Sequence, residues 1–447
     1  MILNILTVLG VTVLGTVLSS VISVLPALHA YNVLGALMLL FYWLVEQGLI
    51  TAQQGELFVP FMAGVVVGWS MLNTIPSILL GAPDESAMFT VLPGQKYLMS
   101  GRGYEGTMIT GVGGLAGVFF LVCVVGPFAP RVLPVVQGVL RPHMHWILWV
   151  IITYILMSEW PKGGNWGPAG LAKFADAWRS LGAGLATFFL SGLLGFILLY
   201  RSPVSVEMAF QNIMPAFVGL FAVPWCLLNM ISGANVPPQR TAAALELNGD
   251  LILRSTAAGG LGGGFAAFFP VITGGIGGLL AGHATAQRDE KVFIMSQGVS
   301  KLVYYVGSFM LLFVPGLGIT RGGAAWMIKG ISVPRGYGDY FMVLGAIAVA
   351  GAVAFLMMSP LTRATIRFIE KVHYRNASAL ALIIILAIVY LMTGWGGLAV
   401  MIVATGIGLI PVLFASRRLN CLGILLLPIA CNMSGFGQQI ARWLRLI

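Results

Sequence analysis

The stretch ILNILTVLGVTVLGTVLSSVISVLPAL, Ile2–Leu28, contains no charged residue in 27 positions. A helix needs roughly 20 mostly apolar residues to cross the hydrocarbon core of a bilayer. Further apolar runs follow at Tyr31–Val45, Phe58–Leu80, Met108–Pro127, Trp146–Met157, Leu181–Tyr200 and Met214–Ile231. The remainder are Leu302–Pro315, Phe341–Met358, Ala377–Met392, Gly397–Phe414 and Leu419–Met433. The runs are continuous, whereas a barrel would show short alternating strands separated by turns. The expected fold is therefore an all-α polytopic membrane protein of about 10–12 crossings.

Composition agrees. Of 447 residues 58% are hydrophobic and 9% charged, with a mean hydropathy of +0.95. A soluble domain carries about 25% charged residues. The first Lys or Arg is Lys96, so Ile2–Leu28 lacks the basic flank of a cleavable signal and is expected to stay as the first helix. The net charge of +10 is scattered over short loops, which argues against nucleic acid. Arg363, Arg367, Lys371 and Arg375 fill one loop, and Arg417 and Arg418 lie two crossings later on the same side. By the positive-inside rule that side is cytoplasmic, and the cell membrane is the expected location. Cys123, Cys226, Cys421 and Cys431 show no metal-ligand spacing and read as small apolar residues.

No linker or soluble-sized segment interrupts the chain, so residues 1–447 read as a single membrane domain. Two pseudo-repeated halves are expected, 1–200 and 201–447, each with a Pro/Gly-broken helix or re-entrant hairpin. Leu57–Phe61 echoes Leu220–Trp225; Pro76 and Gly81 echo Pro270 and Gly275; Ser100-Gly101 echoes Gln297-Gly298. Transporters are often built from such halves, with broken helices around a midplane site.

The first break is expected near 73–87. Pro76 and Pro83 lack an amide hydrogen and disfavour helix before them, and irregular backbone at membrane depth survives only when protein or a water-filled cavity surrounds it. Asn73, Thr74, Ser77 and Ser86, with the backbone at Gly81, would face a solute there, and Asp84 or Glu85 would hold a coupling cation. The second break, near 262–278, offers Thr273 with Gly274 and Gly275. It is Gly-rich but has no Walker lysine and no strand-to-helix unit, so packing or unwinding explains the glycines better than phosphate binding. Lys301 stands near the start of an apolar run, where a charge is costly and usually functional; Arg254 and Arg321 share that setting. His143 and His145 lack a carboxylate or Cys nearby and read as an interfacial loop, while His283 is a candidate for proton coupling. No hydrolytic constellation is present, so an enzyme is not expected, nor any cofactor apart from a coupling sodium ion or proton.

The segments 74–87, Leu92-Pro93-Gly94-Gln95-Lys96 and Gly101-Arg102-Gly103-Tyr104-Glu105-Gly106, followed by Phe269-Pro270 and Gln297–Lys301, resemble the large membrane subunit of tripartite tricarboxylate transporters, closest to their archaeal, often stand-alone branch. The resemblance implies a secondary transporter of an organic anion, driven by a sodium or proton gradient, and implies as partners a small membrane subunit and an extracytoplasmic binding protein. A homodimer is a further expectation. Bacterial members tend to carry Pro-Gly in both loops, where this chain has Ala82-Pro83-Asp84 and Pro270-Val271, and their loops are richer in Ser, Thr and Asn. Two alternatives stay open on the residues alone. A lipid-phosphate translocase, such as one for polyprenyl phosphate, would use the scattered Arg and Lys. A structural subunit of a membrane complex would need no cavity.

Overall fold

The computed structural model describes residues 5–26, 30–51, 55–82, 86–159, 170–204, 212–232, 236–241, 245–287 and 289–447. Among these the chain is helical, with no strand. Helices α1 (Ile5–Ile22), α2 (Ala30–Glu46) and α3 (Gly55–Leu72) come first, and the short α4 (Thr74–Leu79) follows Asn73. Next are α5 (Met88–Met99) and α6 (Gly103–Phe119), which widens into a π-helical stretch at Phe120–Val125. Helices α7 (Ala129–Leu140), α8 (Met144–Met157), α9 (Leu171–Tyr200), α10 (Met214–Phe217) and α11 (Val223–Ser232) complete the first part. Then come α12 (Gly249–Phe268), α13 (Gly274–Ala284), α14 (Glu290–Leu311), α15 (Gly322–Lys329), α16 (Tyr337–Lys371), α17 (Tyr374–Leu413), α18 (Gly423–Met433) and α19 (Gly437–Trp443). α17 is two helices meeting at Gly394, whose φ of 63° lies in the left-handed region that glycine enters without strain. The sequence places a turn at the same residue.

Eight described helical stretches, counting α3 with α4, α7 with α8, α10 with α11 and the two parts of α17 as one each, are long and apolar enough to cross a membrane, and a ninth if α18 and its neighbour α19, bent by 114°, count as one span. α12 and α14, of 20 and 22 residues, have the length for a crossing but not the apolar composition. The physical reason is burial: α14 is covered by protein along nearly its whole length, so few of its side chains meet lipid. The apolar run Leu302–Pro315 is accordingly only the second half of α14. The Gly262–Gly264 triplet likewise does not break the chain; α12 continues through it to Phe268.

Two compact units emerge. The first takes residues 1–137 and 229–381, the second 138–228 and 382–447. In the first, α14 is the central element and packs on α12, α6, α13 and α3, while α1 lies along α3 and α16. In the second, α9 packs on α18 and on the 3-10 turn Arg418–Leu422, and α8 also contacts α18. Ser100-Gly101 ends α5, whereas Gln297-Gly298 sits inside α14, so that pair of echoed dipeptides holds different structural places.

The helices around α14 approach through glycine. A Cβ on Gly259 would lie 2.4 Å from the Ser296 carbonyl oxygen, one on Gly263 2.5 Å from that of Ser300, and one on Gly298 2.4 Å from that of Thr110. Between α12 and α13, a Cβ on Gly277 would lie 2.0 Å from the Gly262 carbonyl oxygen. Small residues at such crossings bring backbones together where the hydrophobic effect gives helices little reason to associate. Gly277→Ala should therefore cost about 1–3 kcal/mol by overpacking, measured as a lower unfolding midpoint in detergent. Gly264→Ala, with no atom within 4 Å of the new methyl, should be neutral or up to about 1 kcal/mol stabilising.

Candidate functional site

Both breaks lie in the first unit, and α14 joins them. α3 and α4 form one span, Gly55–Leu79, joined through Asn73, whose backbone stays helical, and Pro76 falls in the first turn of α4, where the missing amide hydrogen is harmless. α4 ends at Leu80 and Gly81, the latter with φ 61°. Its last carbonyls are taken by amides: Gln95 Nε2 donates to Ile78 O and Asn229 Nδ2 to Leu80 O, both at 3.3 Å. Gly81 thus follows the negative end of a helix, a setting of the wrong polarity for holding an anion.

The second break has the opposite polarity. Phe269 turns extended after α12, Val271 has φ 58°, and Thr273 is extended again before α13 begins. A β-branched residue in the left-handed region costs of order 1–3 kcal/mol and persists only where its surroundings impose it, commonly at functional sites. Thr273 occupies the N-cap of α13 but makes no capping bond, and its buried hydroxyl has no hydrogen-bond partner among the described residues. The amides of Gly274 and Gly275 open the helix beneath it, and a helix N-terminus with uncommitted amides attracts anions.

α13 and α14 run antiparallel. Gly274 lies against Lys301 and Tyr304, Gly278 against Gln297, and Gly282 against Phe293. Ser300 Oγ donates to Gly274 O at 2.7 Å. Lys301, at 1% exposure one of the largest fully buried side chains, donates from Nζ to Asn73 Oδ1 at 2.7 Å. Its backbone therefore touches the second break while its ammonium reaches the span that leads into the first. One turn earlier on the same face, Gln297 is 1% exposed, and neither its Oε1 nor its Nε2 has a partner among the described residues. An unmatched buried amide costs about 1–3 kcal/mol, so a group that satisfies it has a strong thermodynamic foothold.

Of the residues singled out from the sequence, Asn73, Thr273, Gly274, Gly275 and Lys301 come together here. Thr74 and Ser77 are buried nearby, but their hydroxyls are committed to the backbone carbonyls of Met71 and Asn73, and Thr110 also donates to Thr74 Oγ1 at 3.3 Å. Ser86 Oγ donates to Tyr305 Oη at 3.4 Å on the next turn of α14. Asp84 and Glu85 lie outside the described residues. Arg321 donates from Nε to Phe268 O, the end of α12, at 3.2 Å. Arg254 is exposed and pairs with Asp250, and His283 is exposed. Gln297 and Ser300 were not among the expected site residues; their signal is helical spacing, since Gln297, Ser300, Lys301 and Tyr304 recur at three- and four-residue steps.

Broken backbone beside a buried charge is a feature that many membrane transporters share. The chain is in fact a member of the tripartite tricarboxylate transporter TctA family, whose model matches residues 9–423. It is also similar to an uncharacterised protein of Methanocaldococcus jannaschii, 26% identical over 424 residues, covering 93% of this chain and 96% of the relative. No solved structure matches. The chain is accordingly a multi-pass membrane protein of a transporter family.

Removing the Lys301 charge while keeping its length, as Lys301→Met, should leave stability unchanged or raised, because a buried charge is expensive. Asn73→Ala, which takes an oxygen from that charge, should cost about 1.5–3 kcal/mol. In the Lys301→Met background the Asn73 substitution should cost much less, and a thermal-unfolding double-mutant cycle reads the difference.

Proposed function

We propose that this protein is a secondary transporter that carries an organic carboxylate across the cell membrane, bound between the two helix breaks. The observation that carries this reading is the conjunction of the enclosed, unpartnered Thr273 hydroxyl and Gln297 carboxamide with buried Lys301 and the uncapped N-terminus of α13. Lys301 supplies charge, the Gly274 and Gly275 amides supply N–H donors, and Thr273 and Gln297 orient the ligand. The two free functions of Gln297 differ: Nε2 suits a carboxylate oxygen, and Oε1 suits a donor on the same solute. Asn73 holds the ammonium in place between transport events.

The enclosure of these groups supports solute transport over lipid-phosphate translocation, which needs a groove open to the bilayer. Alternating access requires a site sealed in at least one state. A sodium ion or proton drives the cycle in this proposal, with Asp84 or Glu85 as its oxygen ligand. A small membrane subunit and an extracytoplasmic binding protein would complete a tripartite system, in keeping with the family.

The test is thermal stabilisation of the purified protein by a panel of mono-, di- and tricarboxylates and polyprenyl phosphates, with and without sodium, since a ligand that binds only the folded state raises its stability. A carboxylate should raise the midpoint, and Lys301→Met and Gln297→Leu should each lose that shift while remaining folded. A shift with polyprenyl phosphates alone would refute the proposal. For coupling, Asp84→Asn should abolish gradient-driven uptake into proteoliposomes yet keep carboxylate binding; normal coupled uptake would remove Asp84 from the role.

A further inference from the structure

The second unit, residues 138–228 and 382–447, contains nine Lys or Arg against three Asp or Glu, more than half of the net +10 in well under half of the chain. Part of that charge converges on the turn after α17. Phe414 closes the helix, Ala415 takes φ 54°, and Ser416 Oγ is buried with no hydrogen-bond partner among the described residues. The Arg417 amide donates to Glu159 Oε2 at 2.9 Å. Arg418 opens the 3-10 turn with its guanidinium 4.2 Å over the Trp225 ring; Nη1 donates to Phe221 O at 3.2 Å, and Nη2 has no partner among the described residues. From α9, the Arg179 guanidinium stacks 4.5 Å from the Phe414 ring centre.

Among the described residues these three arginines are short of counter-charge. No ion pair joins Arg179, Arg417 or Arg418 to a carboxylate among the described residues. Glu159, 1% exposed, is engaged by the Arg417 amide and by Asn420 Nδ2, also at 2.9 Å. Stacking on a ring fixes the plane of a guanidinium and leaves the N–H donors around its edge, the geometry that receives phosphate oxygens. A guanidinium partly withdrawn from water with no anion beside it also projects a positive potential, because the surrounding dielectric is low.

The surroundings specify where that anion comes from. The first two turns of α9 expose Leu171, Phe174 and Trp178 at 87%, 60% and 48%, with the Phe174 and Trp178 rings 5.6 Å apart and Arg179 next in the chain. Aromatic residues of this kind sit at headgroup level in membrane proteins. The positive-inside rule puts the Arg417-Arg418 turn at the cytoplasmic leaflet, where anionic lipids concentrate and basic pockets between helices take their headgroups.

We propose that Arg179, Arg417 and Arg418 form a binding site for the phosphate of an anionic phospholipid, with the exposed apolar start of α9 against its acyl chains. Arg179 and Arg417 contact the phosphate, and Arg418, held between Trp225 and Phe221, supplies field from beneath. The site is independent of the solute cluster in the first unit, so loss of one leaves the other testable.

The experiment titrates the purified full chain in detergent with phosphatidylglycerol, phosphatidylcholine or inorganic phosphate and follows the unfolding midpoint. Phosphatidylglycerol should stabilise well beyond phosphatidylcholine, and inorganic phosphate should have little effect. Arg179→Gln, at an exposed position, should fold normally and weaken the apparent phosphatidylglycerol affinity about tenfold, with a further loss in Arg179→Gln/Arg417→Gln. Equal shifts with the two lipids, an inorganic phosphate shift matching that of phosphatidylglycerol, or unchanged affinity in the double variant would each overturn the proposal.

Discussion

An ammonium group removed from water must find oxygen, and Lys301 finds it at Asn73 Oδ1. That bond constrains much of the first unit. Asn73 offers its side chain from the joint between α3 and α4, and Lys301 reaches it because α14 runs through the interior. The same constraint accounts for the coverage of α14 by α12, α6, α13 and α3. Unwound backbone at membrane depth has no solvent to bond with, so both breaks must be surrounded by protein. A helix that touches both is then the natural centre of the unit.

The two breaks differ in the electrical sense of what they present. After α4 the chain offers carbonyls, and these are satisfied by Gln95 and Asn229. Before α13 it offers amides, and the N-cap residue that usually satisfies them does not. Strain at Val271 sits beside that open end. Within one small region the protein therefore keeps one helix end finished and another unfinished, next to a buried positive charge. This asymmetry carries the functional argument further than the count of hydroxyls does, since Thr74 and Ser77 are spent on their own backbone.

Much of the architecture was legible in the sequence because lipid imposes a simple rule: a lipid-facing helix must be apolar for about 20 residues. α16, the two parts of α17 and the turn at Gly394 followed from it. The rule is silent about helices that face only protein, which is why the sequence marks only the second half of α14 as apolar and gives Gln297 no place in the site. Lys301 stood out as a charge beside an apolar run, but its partner, 228 positions away, could come only from tertiary structure. The division of the chain at 137/138, 228/229 and 381/382 is likewise a product of long-range contacts, which leave no local mark in composition.

Where α12, α13 and α6 meet each other and α14 at Gly277, Gly259, Gly263 and Gly298, backbone rests on backbone. Most helix interfaces hold their register with interdigitated side chains, and changing register means resetting many rotamers at once. A bare seam has no such teeth. Displacement along it forfeits dispersion and weak Cα–H···O contacts, each small and each recoverable one step further on. The glycines that draw these helices close thus also make their contact a rail as much as a lock.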